Sequence, residues 1–258
     1  MTSRKSKSWT CLHLRCLKNE NTHQRYFLIT LLFIAGCDQP TKENPLFPLA
    51  AGKRWTYLIE TVYDAPDAKT TSHKLEIKNL GSAELSDGSK AWVRRSSNGH
   101  EYWLTTDDNG IQRVALKSPT RDQAEMDVES RTVLPHPLKV GSTWTVPTVP
   151  YFLRRRNENP SEFRYISKYQ NMPMVFTVAD MNVSISTPAG NFEHCTRVDG
   201  TMEMMLWNDV VFAYKPIPIL SREWFCPGVG LVQVERDEPT TAKFFQGGTL
   251  RMKLIDFQ

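Results

Sequence analysis

Residue types that could act as nucleophiles, bases or metal ligands are dispersed along the chain. Beyond residue 36 the histidines are His73, His100, His136 and His194, and no C-x-x-C or H-E-x-x-H spacing accompanies them. His194 stands beside Cys195, but neighbours on a strand point to opposite faces, so this is not a thiol–imidazole pair. Asp107 and Asp108 lie in a predicted turn, where carboxylates cap backbone groups. These patterns predict a protein that is not an enzyme and holds no metal or cofactor.

The cysteines indicate an oxidising compartment. Cys11 and Cys16 lie in a segment that we expect to be removed, and Cys37 has a separate role described below, which leaves Cys195 and Cys226. An even pair in such a compartment is typical of a disulfide. It would close a loop of roughly 30 residues and stabilise the fold by a few kcal/mol. The alternative is two separate thiols packed as small hydrophobic groups.

Methionines are concentrated near residue 204, and thioethers favour Cu(I). However, Met202, Met204 and Leu206 share one face of a predicted strand, which favours a core or the lining of an apolar cavity. Combined with the first predicted strand, this pattern predicts a set of residues that face a hydrophobic ligand: Tyr57, Ile59, Met202, Met204 and Trp207.

The first 36 residues differ from the rest of the chain. Six Lys or Arg residues and one Glu come before or at residue 25, and an uncharged run from Tyr26 to Ala35 follows. A membrane-spanning helix needs about 20 apolar residues, so this run is too short to remain in a bilayer. A basic region, a short apolar core and small residues at its end are typical of an export signal. We therefore predict that residues 1–36 are a signal peptide.

The segment Ile34-Ala35-Gly36-Cys37 resembles the lipobox of bacterial lipoproteins. The resemblance implies that the Cys37 thiol receives a diacylglyceryl group, that the signal is cut before it and that the new amino terminus is acylated. Two or more acyl chains hold a protein stably at a membrane, so we predict anchoring on the periplasmic side of the cell envelope. Asp38 resembles the signal that keeps enteric lipoproteins on the inner membrane. That sorting rule varies among bacteria, and the outer membrane stays open as the alternative.

Charge and composition limit the partners of the mature chain. Residues 1–36 contain six of the 32 basic residues and one of the 28 acidic ones, which leaves residues 37–258 with a formal charge of about −1. This neutral balance offers no electrostatic footprint for nucleic acid. Residues 37–45 are polar and rich in turn formers, and predict the lipidated cysteine with a tether of at most about 30 Å. The folded domain is then predicted at 46–258.

Period-two alternation dominates this domain. Trp55, Tyr57 and Ile59 fall on one face of a predicted strand at 55–63. The other predicted strands are 72–80, 90–96, 101–106, 111–116, 174–187, 192–206, 210–214, 220–225, 230–236 and 249–257. Only 119–130 has a pattern that could carry a short helix. We predict a mostly all-β fold with few short helices, in which an antiparallel meander forms a sandwich or a curved open barrel.

One motif occurs twice. Pro48-Leu-Ala-Ala-Gly-Lys-Arg-Trp-Thr56 and Pro137-Leu-Lys-Val-Gly-Ser-Thr-Trp-Thr145 share the pattern P-L-x-x-G-x-x-W-T. The glycine allows a tight entry, and the tryptophan begins a strand with a large apolar area to bury. The repeat predicts two related lobes, 46–135 and 136–258, fused in one sheet system. Chance, or a shared local entry motif, is the alternative.

A long connection follows the second copy of the motif. It runs from Pro147 to Pro173, exceeds an ordinary connector and contains Arg154, Arg155 and Arg156 together with several aromatic residues. One interpretation is a mobile lip that contacts lipid headgroups or an anionic ligand. The other is a solvated surface loop.

Two further segments resemble uncharacterised bacterial envelope lipoproteins. They are Thr187-Pro-Ala-Gly-Asn-Phe-Glu-His-Cys-Thr-Arg-Val198, which begins with a hairpin, and Trp224-Phe-Cys-Pro-Gly-Val-Gly-Leu-Val-Gln-Val-Glu235, which contains a turn with its strand. Taken with the repeated motif, the resemblance extends in order over most of 46–258. The resemblance implies a β-rich domain akin to the half-barrel of the Lol lipoprotein carriers, whose concave face holds acyl chains. It implies no active site.

Together these observations predict a membrane-anchored, non-enzymatic β domain that binds a hydrophobic ligand or a lipidated partner. The alternative is an interaction module that docks another envelope protein by a sheet edge or by the 147–173 connection. An enzyme is the third hypothesis. A cavity that opens to solvent favours the first, and a filled core with an exposed apolar patch favours the second.

Overall fold

The computed structural model describes residues 43–64, 69–155, 163, 166–208, 211–240 and 245–258. These residues form fourteen strands and one short 3₁₀ turn at Ser167–Tyr169. The strands are β1 Arg54–Tyr63, β2 Thr71–Glu84, β3 Lys90–Ser96, β4 Glu101–Asp107, β5 Gly110–Lys117, β6 Glu125–Pro135, β7 Thr143–Thr148, β8 Arg154–Arg155, β9 Met172–Thr187, β10 Gly190–Asn208, β11 Ala213–Cys226, β12 Gly230–Glu238, β13 Phe245–Gln246 and β14 Gly248–Phe257.

Twelve of these strands make one antiparallel sheet. Its order is β6-β5-β4-β3-β2-β1-β14-β12-β11-β10-β9-β7, and β8 with β13 forms a separate two-stranded ribbon. The sheet curls until its two end strands, β6 and β7, approach each other, and Arg131 Nη1 on β6 donates to the Pro147 carbonyl on β7 at 3.4 Å. We call the gap between these two edges the seam. The prediction of an all-β antiparallel meander is confirmed, in the form of a nearly closed barrel.

Alternation of apolar and polar residues explains the curled sheet. On β10, Met202, Met204 and Leu206 are buried, while the intervening side chains are exposed. On β1, Trp55, Tyr57 and Ile59 are buried in the same alternating way, as predicted. Since successive side chains of a strand point to opposite faces, one face of the sheet lines the inside of the barrel.

The two copies of the repeated motif adopt the same local structure. Gly52 and Gly141 both have a positive φ, 86° and 84°. The Gly52 N–H donates to the Asn79 carbonyl, and the Gly141 N–H donates to the Val178 carbonyl. In the first copy the Lys53 carbonyl accepts the Asn79 N–H, and in the second the Ser142 carbonyl accepts the Val178 N–H. The predicted boundary of the lobes 46–135 and 136–258 falls between β6 and β7. Apart from the β8–β13 ribbon, the strands on both sides of this boundary belong to one sheet, in which β1 pairs with β14.

Two secondary-structure predictions are wrong. The segment 119–130 carries no helix; its second half belongs to β6, which is rich in charge and pairs with β5. The segments predicted as separate strands at 210–214 and 220–225 are continuous through β11, although Pro216 and Pro218 lie between them. Pairing of β11 with β12 begins only at Leu220, after both prolines. In the part that contains the prolines, β11 therefore has β10 as its paired strand and needs no N–H donors toward β12.

The connection from Pro147 to Pro173 is held by one buried carboxylate. Glu238 is fully buried and accepts the backbone N–H groups of Tyr151, Phe152 and Leu153 at 2.7–3.0 Å. Arg236 Nε donates to the same carboxylate at 2.9 Å. The backbone of residues 151–153 is therefore fixed against β12, with Phe152 and Leu153 buried and Tyr151 exposed.

Residues 37–258 cluster as one compact unit, and all fourteen strands lie within it. The described strands draw their hydrogen bonds and core contacts from this unit. We therefore expect the segment 38–258 to fold by itself.

Candidate ligand cavity in the barrel

A cavity of about 440 Å³ lies on the inner face of the sheet, next to the seam, and is partly open to solvent. Its walls are mainly apolar and come from strands on both sides of the barrel. The apolar lining residues are Phe47, Leu75, Ile77, Leu104, Val133, Trp144, Val146, Pro147, Phe176 and Met252; the polar ones are Arg94, Tyr102, Arg113, Arg131, Thr132 and Glu223. A pocket of this size and character is typical of a small-molecule site.

The seam side of the cavity has more positive than negative charge. Arg113 forms two hydrogen bonds of 2.8 Å with the Asp127 carboxylate, a bidentate pair. Arg131 reaches the same carboxylate only at 3.6 Å. Burial lowers the pKa of the Arg131 guanidinium, Arg113 lowers it further, and Asp127 acts in the opposite direction. Two guanidiniums therefore share one carboxylate at the seam.

A third guanidinium lies deeper in the barrel. Arg94 donates to the Asn79 side-chain oxygen at 2.9 Å and to the Pro48 carbonyl at 2.8 Å. Its guanidinium carbon lies 4.0 Å from the Phe47 ring centre and 4.6 Å from that of Trp55. Burial lowers the pKa of Arg94 from 12.5 to about 10, so the group stays charged at neutral pH. Its partners are neutral acceptors and aromatic faces, and the positive charge is not cancelled by them.

The acid in the lining, Glu223, faces the cavity from β11. Burial raises the pKa of its carboxyl from 4.5 to about 7, against the opposing effects of a hydrogen bond with Ser221 and the charge of Arg236. The Ser221 hydroxyl lies 3.4 Å from the Glu223 carboxylate. At neutral pH this carboxyl is therefore partly protonated. Its average negative charge is smaller than one and offsets less than one of the positive charges in the cavity.

Aromatic rings form the wall on the β7 side of the seam. The Trp144 and Phe176 rings stack with a centroid distance of 5.7 Å and an interplanar angle of 19°. Both line the cavity. The indole Nε1 of Trp144 is buried, and the described residues offer it no hydrogen-bond acceptor.

The residues predicted to face a ligand lie elsewhere. Tyr57 and Ile59 are buried on the inner face, where the Tyr57 hydroxyl donates to the Leu231 carbonyl at 2.8 Å. Met202 and Met204 pack in filled parts of the core, and Trp207 lies on the outer face, 41% exposed. None of the five lines the cavity. The inward orientation is as expected for the first four, but Tyr57, Met202 and Met204 lie in packed clusters of the core.

The other predicted site residues occupy separate regions. The Sγ atoms of Cys195 and Cys226 are bonded at 1.99 Å, and both cysteines are buried beside Trp55 and Leu254. His194 is exposed and contacts Asn182, so it does not face the Cys195 sulfur. Arg154 Nε donates to Gln246 at 2.8 Å. Arg155 is exposed on β8, and Cys37, Asp38 and Arg156 lie outside the described residues.

The described residues contain neither a cluster of metal-ligand side chains nor a helix that could cross a membrane. In the described part of the chain, no three His, Cys, Asp or Glu side chains are grouped so that they could hold a metal ion. The same residues form no helix with the length and apolar character needed to cross a bilayer.

Comparison with protein-family models gives no match, and comparison with curated proteins gives none. Two crystal structures are similar in part. One is an inferred lipoprotein from Parabacteroides distasonis ATCC 8503, with 13% identity over 84% of this chain and 100% of that chain and a TM-score of 0.39. The other is an inferred exported protein with a YmcC-like fold from Bacteroides fragilis NCTC 9343, with 15% identity over 82% of this chain and 98% of that chain and a TM-score of 0.33. At these TM-scores we take neither fold nor function from them.

Sequence reasoning missed the polar residues of the cavity. Arg94, Arg113 and Glu223 lie in predicted strands, whereas Arg131 follows the segment 119–130, whose pattern could carry a short helix. Charged residues in strands are ordinarily assigned to the solvent face. The position of Arg94 in its strand could have indicated that it faces inward. Arg94 lies two residues after Trp92 and therefore on the same face of β3, and Trp92 packs against the buried cluster around Phe47 and Leu104.

Proposed function

We propose that this chain is a membrane-anchored lipoprotein of the bacterial cell envelope whose barrel binds a hydrophobic ligand without catalysing a reaction. The observation that carries the proposal is the cavity beside the seam, with its largely apolar walls and its opening to solvent. When an apolar ligand covers apolar surface that otherwise faces water in the cavity, the free energy falls by roughly 25 cal/mol per Å². The few polar groups in the lining would then orient the ligand.

Other regions of the barrel interior are filled by packed side chains. Near Met204 the interior is filled by Leu153, Phe163 and Ile217, among others. Near the disulfide it is filled by Trp55, Tyr57 and Leu254. Native interiors are otherwise close-packed, so a space of this size between two packed regions favours a binding role.

A single substitution on each side of β7 tests this role. Val146 lines the cavity, whereas its neighbour Thr145 is exposed on the opposite face. We expect Val146→Trp to abolish binding of the neutral fluorescent probe phenylnaphthylamine to residues 38–258, and Thr145→Trp to leave it unchanged. Native mass spectrometry of the same protein purified from a bacterial periplasm should show a copurifying apolar molecule. Absence of both probe binding and a copurifying molecule would refute the proposal.

The membrane anchor rests on Ile34-Ala35-Gly36-Cys37 and on the basic and apolar segments before it. We expect Cys37→Ser to prevent acylation and to leave an uncut precursor, detected by metabolic labelling with a fatty acid and by gel mobility. Cys11→Ser and Cys16→Ser are matched controls within the same segment and should be processed normally. Normal cleavage and labelling of the Cys37→Ser chain would contradict the anchor.

A second candidate function is docking of another envelope protein, and one observation favours it. The tip of the β10–β11 hairpin exposes Trp207, Phe212 and Tyr214, with Phe212 79% exposed. The Trp207 and Tyr214 rings contact each other at 5.3 Å. Exposed aromatic groups of this kind are enriched in interfaces. Photocrosslinking from position 212 in intact cells distinguishes the two, because a cavity-binding protein needs no adduct there whereas a docking module forms a discrete one.

A further inference from the structure

The seam contains a guanidinium whose hydrogen-bonding capacity is largely unused. A guanidinium has five N–H donors, and those of Arg131 make two long contacts, 3.6 Å to Asp127 and 3.4 Å to the Pro147 carbonyl. Asp127 is already engaged by Arg113 through two 2.8 Å hydrogen bonds. The Arg113–Asp127 pair is close to neutral, so the charge of Arg131 is the surplus one.

Arg131 also stands where the cavity reaches the free edge of the sheet. Arg131, Thr132 and Val133 are consecutive and all three line the cavity, because the pairing of β6 with β5 shifts register between Thr132 and Leu134 and interrupts the alternation of side chains. The cavity therefore reaches β6, an end strand of the sheet. The Arg131 side chain is 31% exposed, which places its charge at the boundary between solvent and the apolar interior.

Apolar surface continues inward from this point. Val133, Val146 and Phe176 line the adjoining wall together with Trp144. Deeper in, Arg94 adds a second charge, and its hydrogen-bond acceptors on Asn79 and Pro48 are neutral. An apolar space with surplus positive charge at its mouth and in its interior is complementary to an apolar chain that ends in an anion.

We propose that the ligand is a single-chain anionic amphiphile, with its chain along Val133, Val146 and Phe176 and its carboxylate or phosphate bound by Arg131 at the seam. This inference rests on the proposed function and adds the charge of the ligand. Binding exchanges the long contact of Arg131 with Pro147 for charge-assisted hydrogen bonds to the anion, which are about twice as strong as neutral ones.

Chain-matched ligands test the charge separately from the cavity. Binding of hexadecanoate, hexadecanoyl lysophosphatidate and the neutral hexadecanol to residues 38–258 would be measured by displacement of phenylnaphthylamine. We expect one or both anions to bind at least about tenfold more tightly than hexadecanol, as lost hydrogen bonds to a charged group imply. Arg131→Gln should remove this preference and leave hexadecanol binding unchanged, Arg131→Lys should keep part of it, and the exposed Arg251→Gln should keep all of it.

The outcomes separate the two proposals. If hexadecanol binds as tightly as both anions, or if Arg131→Gln keeps the preference, the anionic class is refuted while the hydrophobic cavity stands. If the probe binds but neither anion displaces it, the anionic class is likewise refuted; if neither the probe nor any of the three ligands binds and no molecule copurifies, both proposals fail. A preference for hexadecanoate alone supports a fatty acid as the source of the anion, and a preference for the lysophosphatidate alone supports a single-chain phospholipid.

Discussion

Replacing Glu223 by Gln should stabilise the protein at alkaline pH and leave its stability nearly unchanged at acidic pH. The folded state holds the Glu223 carboxyl with a pKa of about 7, whereas the ordinary value is 4.5. Between these two pH values the folded state binds more protons than the unfolded state, so the free energy of unfolding falls as the pH rises. Above about pH 7 ionisation of Glu223 lowers the free energy of unfolding no further.

The size of the effect follows from the shift in pKa. Each pKa unit corresponds to about 1.4 kcal/mol, so the wild type should lose about 3 kcal/mol across this range. A glutamine amide at this position resembles the protonated acid in shape and keeps a hydrogen bond with the Ser221 hydroxyl, so the Glu223→Gln variant should not lose this energy. For a domain of this length, 1 kcal/mol changes Tm by about 2–4 °C, which gives an expected gain of about 6–12 °C at alkaline pH.

The assay is thermal and urea unfolding of residues 38–258, followed by circular dichroism at about pH 5 and about pH 8.5. Glu203→Gln is the matched control, because Glu203 lies on the exposed face of the neighbouring strand β10. Its Tm should change little at either pH. If Glu223→Gln is no more stable than the wild type at alkaline pH, the carboxyl is not desolvated in the cavity and the reasoning is wrong.

Two further predictions concern stability. Replacing Cys195 and Cys226 by serine should lower the free energy of unfolding by about 3–4 kcal/mol, because the bond closes a loop with a sequence separation of 31; urea unfolding measures this, and an unchanged midpoint would show that the bond contributes nothing. Glu238→Ala should cost about 3–5 kcal/mol, because it removes the acceptor of three backbone N–H groups and of Arg236 Nε, and leaves the buried guanidinium without this carboxylate. Hydrogen exchange should become faster at residues 151–153, whereas the partly exposed Glu235→Ala should cost under about 1 kcal/mol.

The sequence predicts most strands because one face of the sheet is buried and the other is not. Where this contrast is strong, as in β1 and β14, the predicted bounds lie within one residue of the observed ones. The strand β6 lacks the contrast, because both of its faces carry charge, and it was missed. Its stability comes from pairing with β5, including the Arg113–Asp127 ion pair, and such a contact cannot be read from a local pattern.

The cavity was less predictable than the strands. Met204 and Met252 both face inward at period-two positions, yet Met204 is packed in a filled region and Met252 lines the cavity. The difference depends on which side chains reach across the barrel at each level, and those come from distant strands. Arg131 is a similar case, since its position at a free edge depends on the sheet order rather than on its neighbours in the chain.

The position of β14 has a consequence for the time at which the sheet can form. The strands β1 to β6 pair in chain order, and so do β9 to β12, but β14 lies between β1 and β12 in the middle of the sheet. A chain delivered residue by residue, from a ribosome or through a membrane, can assemble both runs early and cannot join them before residues 248–257 arrive. Until then β1 and β12 each present an unpaired edge, and such edges are templates for aggregation. The period just before β14 pairs is therefore when these edges leave the chain most open to aggregation.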